Sequence, residues 1–461
     1  MGLPLYFLDR RSEDARTELI KELALAGIET ETDYTDNCAL VVFDNIDDVV
    51  CIATREIASK FERVLAISLR GSSSTTGQWQ VIQAGAGDLI QWTCTASSAA
   101  AVATRLERWA QVDAIVDSQQ VQELLVGTDP TWRRCLRRVV ELARFTDAAV
   151  LVLGESGTGK ELVARLVHEL DMRASKADFV LLDCTTIVPE LSGSEFFGHE
   201  RGAFTNAIQT REGAVELADR GTLFIDEIGE LASGLQSQLL RAVQEHTYKR
   251  VGGNLWRNAE FRLICATNRE LADEVEAGHF RQDLYYRVAA SIVRLPPLRE
   301  RRGDIPLLAR HFMQKLRPDE PTPEFDDAVR DYLIMRDYPG NVLELRQVTT
   351  RILYRHVGPG PDTLGEIPEE DRPVAQLSDH WRDAGFQQSI RKALRAGAGL
   401  KEIGRAAEDE AIDIAVNDAE GNLRRAADRL GVTDRALQLR KARQHSSQLS
   451  SNETHLGTQG H

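Results

Sequence analysis

The 461-residue chain is 42% hydrophobic and 28% charged with a formal net charge of −15, which excludes a protein that coats nucleic acid over its whole surface but not one small basic module. No run of about 18 apolar residues marks a membrane span, and the opening MGLPLYFLDRRSEDAR turns charged too early for a secretory signal. Six scattered cysteines, with no CxxC or Cys/His cluster, favour reduced thiols in the cytosol and argue against structural zinc.

Residues 3–8, LPLYFL, read as a short apolar strand. Glu13 to Ala26 then places Ala15, Leu19, Ile20, Leu23 and Ala26 at helical spacing. Further apolar runs at 39–43, 64–69 and 88–92, with helix-like segments between them, predict a parallel α/β domain over residues 1–112. A linker helix is expected over 113–124, and a second α/β region over 125–295 with strands at 149–153, 179–182, 222–225 and 262–266. The pattern is wholly helical over 296–357. Residues 358–385 begin with GPGPDTLGEIPEEDRPVA and read as a linker. A helical module is expected over 386–445 and a disordered tail over 446–461.

The chemistry begins at Gly154, Glu155, Ser156, Gly157, Thr158, Gly159 and Lys160, which fit GxxxxGK between an apolar strand and the helix-like ELVARLVHEL. Glycines permit the tight turn, backbone N–H groups and a helix N-terminus face phosphate, and Lys160 reaches the terminal phosphates. Glu161 stands where a generic phosphate-binding loop has a magnesium-binding Ser or Thr. Downstream, GTLFIDE runs apolar residues into Asp226 and Glu227. Such a strand end lets Asp226 hold Mg²⁺ and leaves Glu227 to orient the attacking water. The two motifs together predict ATP hydrolysis. Arg281 and Arg287, six apart in FRQDLYYR, are candidate arginine fingers supplied in trans within a ring; the plainer alternative is a pair of surface helix charges.

GESGTGKE, FFGHERGAFTNA, GTLFIDEI, KRVGG, FRLICATNREL, FRQDLYYRV, PPLRERRGDIPLLARHF and YPGNVLELRQV together resemble the bacterial sigma-54-dependent activators, enhancer-binding proteins of the AAA+ superfamily. The resemblance covers roughly Leu125 to Val357. It implies an AAA+ P-loop ATPase with a helical lid, working as a hexameric or heptameric ring that remodels sigma-54 RNA polymerase. It implies Lys160 on the phosphates, Asp226 and Glu227 at Mg²⁺ and water, Thr267 and Asn268 as first sensor, and Arg281 and Arg287 as fingers. It also makes Glu161 a feature of the family, and the loop Gly202, Ala203, Phe204, Thr205, Asn206 and Ala207 the counterpart of the sigma-contacting GAFTGA, with Phe204 and Thr205 at its tip. Three residues depart from the pattern. Asn206 replaces a Gly, although Asn tolerates positive φ better than most residues. Asp183 stands where an Asn engages the catalytic Glu, so a carboxylate there would repel Glu227. Leu343 stands at the lid's sensor arginine, and Arg346, one helical turn on, is the candidate substitute.

At the C-terminal end, Asn422 to Arg443 reads as helix, Gly431-Val432 turn, helix, with Ala426, Ala427 and Leu430 on one apolar face and Leu437 and Leu439 or their neighbours buried by the second helix. The segment is basic in an acidic protein and resembles the Fis-type helix-turn-helix domain. Arg424, Arg425, Thr433, Arg435, Gln438, Arg440 and Lys441 are the candidate contacts to enhancer-like double-stranded DNA, bound as a dimer, with Arg435 and Gln438 as base readers.

At the N-terminal end, GAGDLI (85–90) resembles a receiver domain's GADDYL, with Asp44 at the phosphoacceptor position and Asp9 a lone member of the acidic pair. Trp92 replaces the essential receiver Lys, and the chain between strands two and three is too short for a full helix. The expectation is a degenerate receiver used for protein contacts or another signal; a working phosphoacceptor and a plain sensory α/β domain are the alternatives. For the whole chain the leading expectation is an ATP-hydrolysing, DNA-bound activator of sigma-54 polymerase. Its rivals are an ATP-binding DNA-bound regulator with weakened or lost remodelling, and an AAA+ machine for another protein substrate.

Overall fold

A computed structural model describes residues 2–8, 13–30, 38–69, 75–93, 96–173, 177–205, 207–357, 360–372, 384–395, 397–419, 422–433, 435–438 and 440. The chain divides into two compact units, Met1–Glu369 and Glu370–His461.

The first unit opens on β1 (Leu5–Phe7), α1 (Glu13–Leu25), β2 (Cys38–Phe43), α2 (Asp48–Ala58), β3 (Arg63–Ser68), α3 (Thr75–Gln83), β4 (Asp88–Gln91) and α4 (Ala96–Val116). β1 to β4 form a parallel sheet in that order. Pro4 has no N–H and splits the first strand. Residues 2–3 pair in parallel with 29–30 on the side away from β2. Counting that short pair, the strand order follows the flavodoxin-like doubly wound pattern. The runs CALVVF and RVLAIS are covered on both faces, as parallel strands need to be.

The apolar spacing of α4 continues past residue 112, so the helix serves two cores. Ala99, Val102, Leu106 and Trp109 pack on the N-terminal sheet. Val112 and Val116 join Trp132, Leu136 and Val139 in the next core. Residue 112 therefore lies inside a helix rather than at its end.

Next come α5 (Gln119–Leu124), α6 (Pro130–Phe145), β5 (Val150–Leu153), α7 (Lys160–Leu170), β6 (Phe179–Asp183), β7 (Thr222–Asp226), α8 (Ser233–Gln244), β8 (Arg262–Thr267), α9 (Gln282–Val288) and β9 (Ser291–Arg294). They build a parallel sheet ordered β9-β5-β8-β7-β6, with one apolar core on each face. β9, SIVR, is an edge strand that the sequence reading passed over; it is short and only partly covered. Because all five strands run the same way, their carboxyl ends gather the loops after β5, β7 and β8 at one rim, where open α/β sheets bind ligands. Three helices, α10 (Ile305–Leu316), α11 (Asp327–Met335) and α12 (Asn341–Arg355), then enclose a separate core that includes Leu308, Met313, Val329, Leu333, Leu345 and Ile352.

The second unit contains α13 (Ala384–Arg395), α14 (Leu400–Asp418) and α15 (Leu423–Arg429). Asn422 caps α15 by accepting from the Arg424 and Arg425 amides. Gly431 turns the chain at φ 64, and residues 435–438 are again helical. Ala426, Ala427 and Leu437 are buried against Ile412, Ala415 and Val416 of α14.

Candidate active site

The loop from β5 to α7 is shaped by Gly157 at φ 76 and Gly159 at φ 103, conformations glycine adopts without strain. Gly157 also admits a close backbone approach: a Cβ there would lie 2.2 Å from the Gly340 carbonyl oxygen. Thr158 is buried, and its hydroxyl donates to the Glu155 carbonyl at 2.8 Å. Lys160 opens α7 and extends to the rim, where Nζ donates to the Gly154 carbonyl at 3.1 Å and to Glu227 Oε1 at 2.8 Å. Glu161 points away from this rim and pairs with Arg165 one turn along the helix.

Glu227 follows β7 at φ 49, in the left-handed region, a costly conformation for a non-glycine residue and one that aims its carboxylate inward. Its other oxygen, Oε2, accepts the Asn268 amide at 3.1 Å. Thr267 is fully buried at the end of β8, where its carbonyl accepts the Gly154 amide and its hydroxyl accepts the Arg269 amide. The loop after β5, the acidic end of β7 and the segment after β8 therefore converge on Glu227.

Asp226 accepts the Glu227 amide at 3.0 Å. Burial pushes its carboxyl above the usual range, and the charges of Glu227 and Asp183 push the same way. A half-buried carboxylate with further carboxylates beside it fits a hard divalent cation such as Mg²⁺, which takes oxygen ligands. Asp183 pairs with Asp226 across the sheet, but its carboxylate turns into its own loop. Oδ1 accepts from the Thr185 amide at 2.8 Å and the Thr185 hydroxyl at 2.7 Å. The expected repulsion of Glu227 by a facing Asp183 is thus redirected by a local Asx turn.

A family model described as the sigma-54 interaction domain matches residues 125–294, and one described as the AAA+ ATPase lid domain matches 299–363. The transcriptional regulatory protein ZraR of Klebsiella oxytoca is 41% identical over 326 residues, 70% of this chain and 69% of that protein. The chain belongs to the sigma-54-dependent transcriptional activators. The response regulator protein PilR of Pseudomonas aeruginosa is 38% identical over 342 residues, 74% of this chain and 73% of its own length. A crystal structure of NtrX from Brucella abortus in complex with ADP superimposes with a TM-score of 0.51 at 27% identity, covering 95% of this chain and 98% of that one. The chain therefore carries an AAA+ P-loop ATP-binding domain with its lid.

The other residues singled out in the sequence are placed as follows. The loop 201–207 closes through the Gly202 amide on the Ala207 carbonyl at 2.8 Å and the Ala207 amide on the Phe204 carbonyl at 2.9 Å. Ala203 is half-buried and Ala207 buried, while Phe204 and Thr205 are exposed; the Phe204 ring packs edge-on against His199. Asn206 lies outside the described residues. Arg281 is exposed and held by Asp283 through Nε and Nη2. Arg287 is exposed and makes no ion pair among the described residues. Leu343 sits against Gly157, and Arg346 is exposed on the same helix.

In the second unit Arg424, Arg425, Thr433, Arg435 and Gln438 are exposed. Arg440 pairs with Glu408 at 3.0 Å, and Lys441 lies outside the described residues. In the N-terminal domain Asp44 follows β2 and Trp92 is buried just after β4, while Asp9 lies outside the described residues. No helix among the described residues is long and apolar enough to cross a membrane.

One part of the site escaped the sequence reading. Glu155 is gripped by Arg299 through both guanidinium arms at 2.8 and 2.7 Å, and Asn341 Nδ2 reaches both Glu155 and the Ser156 carbonyl. The Arg299 and Asn341 bonds hold the Glu155 carboxyl below its usual range. The Val342 amide donates to the Gly157 carbonyl at 3.0 Å. This latch ties the start of α12 to the nucleotide loop. Its only sequence signal is the Gly-Asn turn before α12, with Asn341 at φ 51.

Proposed function

We propose that this chain is an ATP-hydrolysing, DNA-binding transcriptional activator that remodels sigma-54 RNA polymerase to open promoters. The observation that carries the reading is Glu227 held between Lys160 and the Asn268 amide. ATP binding would draw Lys160 to the β- and γ-phosphates and release one oxygen of Glu227 to orient the attacking water. Asn268 would report the state of that carboxylate to the loop after β8. Asp226 would hold Mg²⁺, which supplies charge neutralisation at the phosphates when bound. Arg281 and Arg287 would complete a neighbour's site in a hexameric or heptameric ring. The latch between Glu155, Arg299 and Asn341 would pass the nucleotide state to the lid, with Arg346 as second sensor. Phe204 and Thr205 would meet sigma-54.

The residues after α14 would act as a dimeric Fis-type helix-turn-helix on enhancer-like DNA, with Arg424, Arg425, Thr433, Arg435, Gln438, Arg440 and Lys441 on phosphates and bases. Of these, Arg440 would have to leave Glu408. The N-terminal domain, with its doubly wound strand order and its buried Trp92, would serve as a degenerate receiver that contacts protein or answers another signal.

Steady-state ATP hydrolysis by wild type and Glu227→Gln tests the catalytic reading. A fall of about 10²–10⁴-fold is expected, the usual contribution of a positioned acid–base group, and equal rates would refute it. Thr205→Ala tests the polymerase reading: ATPase activity should persist while open-complex formation at a sigma-54 promoter is lost. A second reading, ATP binding with weakened remodelling, draws on Leu343, which meets Gly157 with an apolar side chain where the family pattern has arginine. ATPase activity without open complex in the wild type would favour it.

A further inference from the structure

The lid holds a cluster of side chains that the ATPase reading leaves unused. His356 ends α12, and Asp362 and Glu366 come from the segment that folds back over it. His356 Nδ1 lies 2.8 Å from Asp362 Oδ1 and 3.2 Å from Glu366 Oε1, and one donor atom from each residue falls within 4.8 Å of the others. We propose that His356, Asp362 and Glu366 form a binding site for a transition-metal divalent cation of the Zn²⁺ class, clamping the closing segment of the lid to the last turn of α12.

Three observations support the assignment. The spacing suits it: donors held at about 2.0–2.2 Å from a tetrahedral or octahedral ion sit about 2.8–3.6 Å apart. Asp362 supplies the second. Its side chain is fully buried, neither carboxylate oxygen has an aligned hydrogen-bond donor among the described residues, and His356 Nδ1 stands against it at ion-pair distance. Buried carboxylates are ordinarily satisfied by donors or by an ion. Two carboxylates and an imidazole converging in one buried spot call for a shared cation, and the titration below separates a metal ion from a proton.

The third is the rigidity of the donors, of the kind that orients metal ligands. The Asp362 backbone is pinned on both sides, its amide to the Glu324 carbonyl at 2.7 Å and its carbonyl to the Asp326 amide at 3.1 Å. Glu366 is fixed by the Thr363 amide on Oε2 at 2.8 Å and the Val357 amide on Oε1 at 3.3 Å. An imidazole with two carboxylates selects Zn²⁺, Mn²⁺ or Fe²⁺ over Ca²⁺ and Mg²⁺, which take oxygen alone. His356 also lines a cleft of ≈ 640 Å³, which gives an ion its entry path and room for a water ligand. The set uses no cysteine, so cysteine spacing could not disclose it.

The test is calorimetric titration of chelator-stripped full-length protein with ZnCl₂ in the absence of nucleotide, beside His356→Gln and Asp362→Asn. The expected result is one Zn²⁺ per chain with micromolar or tighter affinity, unaffected by millimolar MgCl₂ and weakened at least tenfold by either substitution. Both substitutions roughly conserve volume, and far-UV circular dichroism checks each fold; either folded variant is enough to decide. Two results overturn the proposal: no stoichiometric binding by wild type, or binding that both variants retain unchanged, which would place the ion on thiols or elsewhere. A proton-linked His–Asp–Glu clasp without metal is the first of these outcomes.

Discussion

β2 delivers Asp44, and β7 delivers Asp226, to the carboxyl ends of two parallel sheets in the same chain. Around Asp226 the fold adds what phosphate chemistry needs. Lys160 reaches the adjacent Glu227 from the start of α7, and the Asn268 amide closes on the same carboxylate. Around Asp44 the corresponding rim goes another way. The residue after β4 is Trp92, only 3% exposed, with its amide on the Ser68 carbonyl at 2.7 Å and its ring in the core with Leu65, Ile67 and Leu106. The parallel sheet thus decides where a carboxylate is presented. In the proposed mechanism such a carboxylate works beside a cation from a neighbouring loop, whereas the N-terminal sheet uses the position after β4 for packing.

The comparison is tested most severely at the arginines that would complete the Asp226 site from outside. Arg287→Ala is expected to lower the ATPase rate by about 10³–10⁵-fold with nucleotide affinity retained, the range for a finger supplied in trans. Arg281→Ala should cost less, because Arg281 is already engaged by Asp283 and must leave it to reach a neighbour. Steady-state kinetics above the assembly concentration, with nucleotide binding measured separately, gives both values. Losses below tenfold in both variants would mean that the rim of this chain completes its own charge clamp.

A smaller effect separates catalysis from stability at the same strand end. Burial raises the Asp226 carboxyl, and Glu227 and Asp183 add to the shift, so the folded state binds that proton more tightly than the unfolded state. The stabilisation this linkage provides is fully present below the ordinary carboxylate value near 4 and is lost as pH rises through the raised folded value. At neutral pH the ionised group is therefore a burden on the ligand-free fold. Asp226→Asn should abolish hydrolysis while raising the melting temperature by about 1–3 °C at pH 7.5, an advantage that shrinks toward pH 4. A melting temperature below wild type at pH 7.5 would show that Asp226 is compensated at rest.

Consecutive motifs made most of the nucleotide site readable in the sequence. The glycines and Lys160 lie within seven residues, and Asp226 and Glu227 end one apolar run. The latch among Glu155, Arg299 and Asn341 was not readable, because its partners are 144 and 186 positions apart and meet only when the lid docks. Asp183 was expected to face Glu227 because the resemblance places there an Asn that engages the catalytic Glu. The Thr185 amide and hydroxyl capture it first, and that competition is decided by a two-residue turn. β9 was missed because an edge strand of four residues carries little apolar signal. The limit at residue 112 ignored that Val112 and Val116 prolong the spacing of α4, which lets one helix belong to two cores.

The smallest expected effect lies at Asp44. If the packed Trp92 has taken phosphoryl chemistry away from the N-terminal rim, then Asp44→Asn should change the ATPase rate by less than about twofold, the scale of a substitution outside the reacting centre. The wild type should take up no stable phosphoryl group from acetyl phosphate with Mg²⁺, followed by intact-protein mass spectrometry. A lysine would neutralise charge on the transferred phosphoryl oxygens, and the buried indole of Trp92 offers neither charge nor a directed donor there. Stoichiometric phosphorylation lost in Asp44→Asn would break the comparison at its root, since it would show the N-terminal rim doing phosphoryl chemistry with Trp92 packed at the position after β4.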